Sequence, residues 1–350
     1  MRQALLLGAI FGVAVVAGVL HYAEAEPVAV FAVSAVALGG LAWAIAVGTE
    51  SVGSHFGPAV TGVLQSTLGN LPELFIVLFS LAAGEVVVAQ TSILGSLFAN
   101  ALLVLGLAIV AGSWQAQDGV MRFRARLPND TATLLLLAVF IIVLLGVSDR
   151  VGDRASQHQV AISAIGAVCL LSVYAVWLWS YLRSSEKEPA VEQAARRELP
   201  LRLAITVLAL AGVGAAFVSD WFVDAIDPAV EALGISKAFT GLVIVAIAGN
   251  AVENVVGVTL AAKGQADLAI SVVKNSVAQI AVFLYPALVL LSLFFAQRLT
   301  FVIANPVYIG ALLITALAVW QVTGDGQAAA FEGWALVAIY VILAVLTFFE

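Results

Sequence analysis

The sequence predicts an all-α polytopic membrane protein of about eleven transmembrane helices. One extra N-terminal helix precedes two inverted five-helix repeats whose helices break at the midplane. Three observations predict it. Composition is 63% hydrophobic and 11% charged, against about 45–50% and about 25% in globular domains, and mean hydropathy is +1.09. Apolar runs close to the ~20 residues needed to span a bilayer recur from end to end. A Gly-Asn-x-x-Glu motif stands twice inside such runs, 180 residues apart.

The same arithmetic excludes whole classes. Thirty-seven charged residues cannot coat a water-facing surface around a 36.3 kDa core. A soluble enzyme and a secreted domain are excluded, and a net charge of −7 speaks against nucleic acid as a partner. The lone Cys169 rules out disulfide frameworks and cysteine metal sites.

The expected spans lie near 4–20, 27–47, 57–82, 86–112, 130–147, 158–182, 200–219, 238–262, 268–295, 302–321 and 331–349. The first follows Arg2 and precedes Ala23-Glu24-Ala25, a cleavage-like pattern. Its 17-residue run exceeds a signal-peptide core of ~7–15 residues, so it is read as a retained helix. Between the sixth and seventh spans, 184–199 (SSEKEPAVEQAARREL) mixes both charges and reads as a solvated, partly helical linker. It lacks the spacing of a calcium-binding loop. The expected organisation is therefore 1–26 as extra helix and loop, 27–183 and 200–350 as five-helix repeats, and 184–199 as a cytoplasmic linker.

Orientation follows the Lys and Arg residues. With the N-terminus in the cytoplasm, the inner connections hold Arg2, Arg122, Arg124, Arg126, Arg183, Lys187, Arg196, Arg197, Arg202 and Lys263. The outer ones hold Arg150, Arg154, Lys237 and Arg298, and the 220–231 connection is acidic. Ten against four places the N-terminus inside and the C-terminus outside. Most Trp residues fall near span ends, as an interfacial belt requires.

Sliding the chain by 180 residues superposes Gly69-Asn70-x-x-Glu73 on Gly249-Asn250-x-x-Glu253, and Ala82, Gly84, Ala89 and Ser96 on Ala262, Gly264, Ala269 and Ser276. Thr61-Gly62 and Thr240-Gly241 recur with a one-residue shift. Five spans per repeat is odd, so the second repeat enters the membrane from the opposite side. Inverted repeats of this kind build secondary transporters with a midplane site between them.

An acidic side chain at the centre of a spanning helix costs about 2.5–3.5 kcal/mol on insertion scales. Only Glu73, Glu253 and Lys274 lie within spans rather than at their ends. Gly and Asn are weak helix formers, and Pro72 lacks an amide donor. A break is thus expected before Glu73, and a weaker one before Glu253. Breaks free carbonyl oxygens that a cavity, water or an ion must satisfy. Two carboxylates, two Asn amides and freed carbonyls, without nearby His, Cys or Met, select hard cations such as Ca²⁺. Empty, facing carboxylates repel and take up protons. Cation and proton then compete for the same oxygens, which exchange requires.

On these motifs the chain resembles the calcium/cation antiporter superfamily and, within it, the calcium/proton exchangers. GNLPELFIVLFSLAAG is similar to their first signature (Gly-Asn-Ala-Thr-Glu-Leu), and GNAVENVVGVTLAAKGQADLAI to the second (Gly-Asn-Ala-Ala-Glu-His). QTSILGSLFANALLVLG and SVAQIAVFLYPALVLL resemble the helices that follow. The resemblance implies ten core helices plus one, alternating access, and calcium transport driven by the proton gradient. It implies that Glu73 and Glu253 bind ion and proton, that Asn70 and Asn250 with the carbonyls of Gly69 and Gly249 line the site, and that Ser96 and Ser276 are candidate ligands. Asn100 and Gln279 would complete the lining.

Departures are Pro72 for Thr, Asn254 for His, Lys274-Asn275 for Leu-Gly, and Val277 for Ser. Lys274 either faces the cavity, where it could pair with a carboxylate, or snorkels to the inner membrane edge near Asp267. Rival readings are a sodium/calcium exchanger, whose sites carry more Ser, Thr and Asp, and a cation channel. A hydrolase lacks any nucleophile–base pair or HExxH helix. No cofactor is expected, Ca²⁺ and H⁺ being cargo. The expected partners are the transported cations and the lipid bilayer of a prokaryotic cell membrane, with homo-oligomerisation left open.

Overall fold

In the structure, a computed structural model, residues 2–56, 64, 68–185, 199–303 and 305–350 are described. Residues 57–63 and 65–67 of the third expected span, with Thr61-Gly62, lie outside the described residues, as do 186–198 of the linker. The helices are α1 (Arg2–Tyr22), α2 (Pro27–Phe56), α3 (Leu71–Ala82), α4 (Val86–Gln115), α5 (Arg126–Val151) and α6 (Gln159–Ser185). After the linker come α7 (Leu201–Leu233), α8 (Lys237–Gly249), α9 (Ala251–Ala262), α10 (Ala266–Ser292), α11 (Pro306–Thr323) and α12 (Ala330–Phe348).

Among the described residues nine helices are long and apolar enough to cross a membrane, and α8 with α9 pass the same test only together, as a pair bent by 60°. The short apolar α3 adds to these. Two expectations need correction. The outer connection read as 220–231 is helical to Leu233, with Pro228 inside the helix, so its acidic residues sit on the last turns of α7. The chain is also not wholly helical: β1 (Val120–Arg122) pairs antiparallel with β2 (Gln327–Ala329). Backbone donors leaving a helix at the membrane edge find strand partners where two connections meet.

Local geometry repeats at the 180-residue offset. Asn70 (φ −101°, ψ 26°) and Asn250 (φ −95°, ψ 22°) share the sparsely populated bridge conformation. Gly84 and Gly264 both turn the chain with positive φ. π-helical segments interrupt α4 at Ala99–Val104 and α10 at Ile280–Leu284, a distortion that is frequent at functional sites.

Polar contacts between connections fall into two sets. In one, the Lys237 ammonium bridges Glu85 (2.7 Å) and Asp227 (2.6 Å), Ser236 donates to the Thr347 carbonyl, and Tyr308 bonds Glu350. In the other, the Arg124 amide donates to Asp267 (2.7 Å) beside the β1–β2 ribbon. There Arg122 donates to Asp118 and holds its carboxyl below the usual carboxylate range. The two sets share no connection.

Two apolar cores flank the centre. Leu38, Leu41, Ile45, Ala211 and Phe222 pack α2 against α7, with α1 alongside. Ile93, Phe98, Leu102, Val273, Val277 and Tyr285 join α4 to α10. Small residues set the closest crossings, as in membrane helix packing. A Cβ on Gly95 would meet Leu242 backbone at 2.5 Å, and one on Gly106 the Gly333 carbonyl at 2.6 Å. By contrast, a Cβ on Gly8 or Gly12 of α1 would meet nothing within 4 Å. Gly8→Ala and Gly12→Ala are therefore expected to leave thermal stability and transport unchanged within error, or to raise stability by up to about 1 kcal/mol each.

Candidate functional site

Both motif carboxylates lie in the first turn of a helix that starts just after an Asn turn. Glu73 follows Asn70 on α3, where Pro72 costs nothing because first-turn amides have no helical acceptor. Glu253 follows Asn250 on α9. The second break needs no proline and is nonetheless a clear 60° bend, not the weak one that the missing proline suggests. The Asn250 side chain supplies the reason. It is fully buried, accepts from Asn100 Nδ2 (2.7 Å), and donates to Ser96 Oγ (2.7 Å) and the Ala246 carbonyl (3.0 Å). Those bonds tie the break in α8–α9 to α4.

Glu73 is 1% exposed. Its carboxylate packs on the backbone of the second break, since a Cβ on Gly249 would stand 2.7 Å from Glu73 Oε1. Any larger residue at 249 would displace the carboxylate. Glu253 is half-buried, one turn after Asn250 in α9. The fold thus brings Glu73, Gly249, Asn250, Glu253, Ser96 and Asn100 together from α3, α4, α8 and α9.

Two buried oxygens there have no hydrogen-bond partner, Glu73 Oε2 and Asn100 Oδ1, and Ser276 Oγ on α10 is likewise buried and unpartnered. Unsatisfied buried polar atoms are uncommon and call for an explanation. Asn254 and Asn275 carry buried, unpartnered Oδ1 atoms too. Both stand out in the sequence as Asn within apolar runs, although against the family signatures they read only as departures. Gln279 is half-buried, immediately before the π-segment of α10. Asn70 is buried at its turn, with Gly69 beside it. Among the described residues no group of three or more His, Cys, Asp or Glu forms a metal cluster.

Asn250→Ala removes three hydrogen bonds and leaves Asn100 and Ser96 polar groups buried. At about 1–3 kcal/mol for each orphaned group, a melting temperature lower by several degrees and transport slowed at least about tenfold are expected. Thermal unfolding and vesicle uptake of the same preparation check both.

For Lys274 the structure corrects the snorkelling expectation and gives the side chain a neutral partner. It is 1% exposed, so it does not snorkel, and its ammonium donates to Thr323 Oγ1 (3.2 Å) at the end of α11, not to a carboxylate. Thr323 in turn donates to the Val319 carbonyl. Lys274→Leu is expected to leave Ca²⁺ affinity and its pH dependence within about threefold of the parent. A tenfold rise in affinity, about 1.4 kcal/mol, would place the ammonium at the carboxylates.

A family model described as sodium/calcium exchanger protein matches residues 26–182 and 203–349. The chain belongs to this family. Within it the chain groups with the calcium/proton exchangers. The Ca(2+)/H(+) antiporter of Synechocystis sp. is 32% identical over 344 residues, covering 92% of this chain and 91% of that protein. The Ca(2+)/H(+) antiporter ChaA of Bacillus subtilis is 30% identical, with 97% of each chain covered. Native YfkE has a similar structure, with a TM-score of 0.81 at 28% identity over 99% of both chains. The H+/Ca2+ exchanger CAX, at 14% identity and a TM-score of 0.75, shares the fold. These relatives are named as transporters, in keeping with the absence of a nucleophile–base pair in the sequence.

Proposed function

We infer that this exchanger moves Ca²⁺ against H⁺ across a membrane by alternating access. The observation that carries the reading is the oxygen-lined break: an unpartnered Glu73 Oε2, buried against Gly249, with Glu253 one turn further along in α9. Oxygen ligands suit a hard cation, and two carboxylates neutralise one divalent ion. Protons neutralise the same pair, so each cargo displaces the other. The names of the curated relatives agree with this cargo pair.

Glu73 and Glu253 bind Ca²⁺ or protons in this reading. Asn100 Oδ1, Ser276 Oγ and the carbonyls of Gly69 and Gly249 complete the shell, with Asn70 and Gln279 at its border. Asn250 and Ser96, already hydrogen-bonded to each other and to α4, position the break. The architecture we propose is eleven spans: the nine long helices, the bent α8–α9 pair and a third span ending in α3. Residues 1–26 stand apart, 27–183 and 200–350 are inverted repeats, and 184–199 links them in the cytoplasm. Matched turns at Asn70 and Asn250 and the two separate sets of polar contacts support it. The Lys and Arg bias supports N-in, C-out orientation in a prokaryotic cell membrane. Ca²⁺ enters from the cytoplasm, the breaks hold it between the repeats, and protons displace it on the far side.

Inside-out vesicles with an acidic interior test this. Ca²⁺ uptake is expected to follow the pH gradient and to collapse with a protonophore. Uptake that follows an imposed Na⁺ gradient, and ignores the pH gradient, would favour sodium/calcium exchange instead.

A further inference from the structure

The matched helices α3 and α9 are buried unequally. Beyond Glu73, α3 buries Ile76, Val77, Ser80 and Leu81, whereas beyond Glu253, α9 buries Gly257 and Ala261. The half of the molecule toward which α3 runs is thus the closed one, and Glu253 is the more accessible carboxylate. That half contains the seam between the two apolar cores. Ile76 of α3 and Val245 of α8 belong to the core around α2 and α7, while Val77 and Leu242 belong to the core around α4 and α10. Ser80 stands about two helical turns after Glu73, on the same face of α3. Its hydroxyl is fully buried and has no hydrogen-bond partner. A polar group therefore continues the line of the carboxylate into an otherwise apolar seam.

An ion cluster stands at the end of that seam. The Glu85 amide donates to the Ser80 carbonyl (2.7 Å), and the Glu85 carboxylate accepts from Lys237 Nζ (2.7 Å). The same ammonium meets Asp227 Oδ1 at 2.6 Å. Asp227 belongs to α7, which packs on α2, and Lys237 opens α8, which crosses α4 at Gly95. Between them the chain turns at Gly234 (φ 65°). The Lys237–Asp227 bond thus fixes the angle of this corner, and the bond to Glu85 ties the corner to the start of α4. The Glu85 side chain is 19% exposed and that of Asp227 57%, so the Asp227 bond is the one that water can replace.

We propose that Lys237 is the outer latch of the transport cycle. With both bonds made, the corner holds α7 against the α3–α4 turn, and the half beyond Glu73 stays shut. Release of Asp227 frees α7 to move, and Ser80 then meets water on the way to the carboxylates. The proposal rests on the alternating-access reading, but it concerns the contact that keeps one side closed and not the ion that is carried.

Thiol labelling of the full chain in detergent with EDTA, by a water-soluble maleimide, tests the latch. Cys169, which is exposed, is first replaced by Ser. Ser80→Cys then reports opening of the shut half, and Ser113→Cys, also buried but at the other end of α4, is the control. A buried thiol reacts only while a path to it is open, so its rate follows the open population. Lys237→Met and Asp227→Asn are each expected to raise Ser80→Cys labelling at least about fivefold, a shift near 1 kcal/mol by the affinity conversion. Lys237→Arg should stay within about twofold of the parent, and Ser113→Cys labelling should not change. Thermal unfolding shows that each variant is folded, and Val77→Cys, buried on the same helix, repeats the measurement where Ser80→Cys is not. Unchanged labelling in both Lys237→Met and Asp227→Asn would overturn the proposal, as would a rise shared by Ser113→Cys, which marks general loosening. Labelling needs no ion gradient, so failure of proton-driven Ca²⁺ uptake beside an intact latch effect would remove only the exchange reading.

Discussion

Glu73→Gln is expected to abolish Ca²⁺-for-H⁺ exchange, and Glu253→Gln to reduce it by at least about a hundredfold. Each replacement keeps the shape of the side chain and removes one charge and one proton-binding group. Glu73 suffers more because it is 1% exposed, whereas Glu253 is half-buried and water can partly replace it. Removing one carboxylate from its buried pairing with the cation costs about 3–5 kcal/mol, which is about 10² to 4 × 10³-fold in affinity. The variants should fold at least as well as the parent, since an empty site no longer holds two repelling carboxylates. Vesicle uptake and thermal unfolding of the same samples distinguish the two effects. Normal transport by both variants would remove the central assignment.

The second large effect is steric. Gly241→Val and Gly95→Val are expected to destroy transport and to lower the unfolding temperature sharply. A Cβ on Gly95 would stand 2.5 Å from Leu242 Cα, and one on Gly241 would strike Thr91 Oγ1 and approach the Ser92 amide at 2.9 Å. Both obstacles are backbone or lie beside it, so neither can rotate away. The helices α4 and α8 must separate, and with them Ser96 and Asn100 leave Asn250. Overpacking alone costs about 1–3 kcal/mol, and about 1–3 kcal/mol more follows for each buried polar group that loses its partner. Gly8→Ala, with open space around it, is the matched control. Wild-type uptake by Gly241→Val would show that this crossing does not position the site.

Much of this was legible because lipid is an intolerant solvent. A helix in hydrocarbon must be apolar, so runs of Val, Leu and Ala reveal the spans, and any Glu or Asn among them stands out. Glu73 and Glu253 stand out that way, in register with Asn70 and Asn250. Boundaries were less legible. The acidic turn of α7 reads as a loop in composition, yet Asp220, Asp224 and Asp227 lie at a membrane edge where a helix can carry charge into water. The β1–β2 ribbon left no signal, since three-residue strands are set by a partner more than 200 residues away.

Lys274 and Asn250 show where sequence reasoning stops. A lysine near a helix end has two plausible destinations, lipid edge or cavity. It does not reach the lipid edge, and its bond goes to Thr323, 3.2 Å away at the end of α11, and not to a carboxylate. Asn250 looks like a ligand by position, and the structure commits its amide to Ser96, Asn100 and Ala246.

By itself, the sequence determined that the chain lives in a bilayer, that two carboxylates occupy matching places within it, and that their ligand chemistry suits a hard cation. These depend on composition and spacing, which solvation energetics reads directly. Tertiary structure alone decided which oxygens are left unpartnered, that Glu73 rests on the Gly249 backbone, and that glycine crossings hold α4 against α8. Those outcomes depend on which helix faces meet across the bundle, and hydrogen bonds between residues 150 positions apart leave no trace in local sequence.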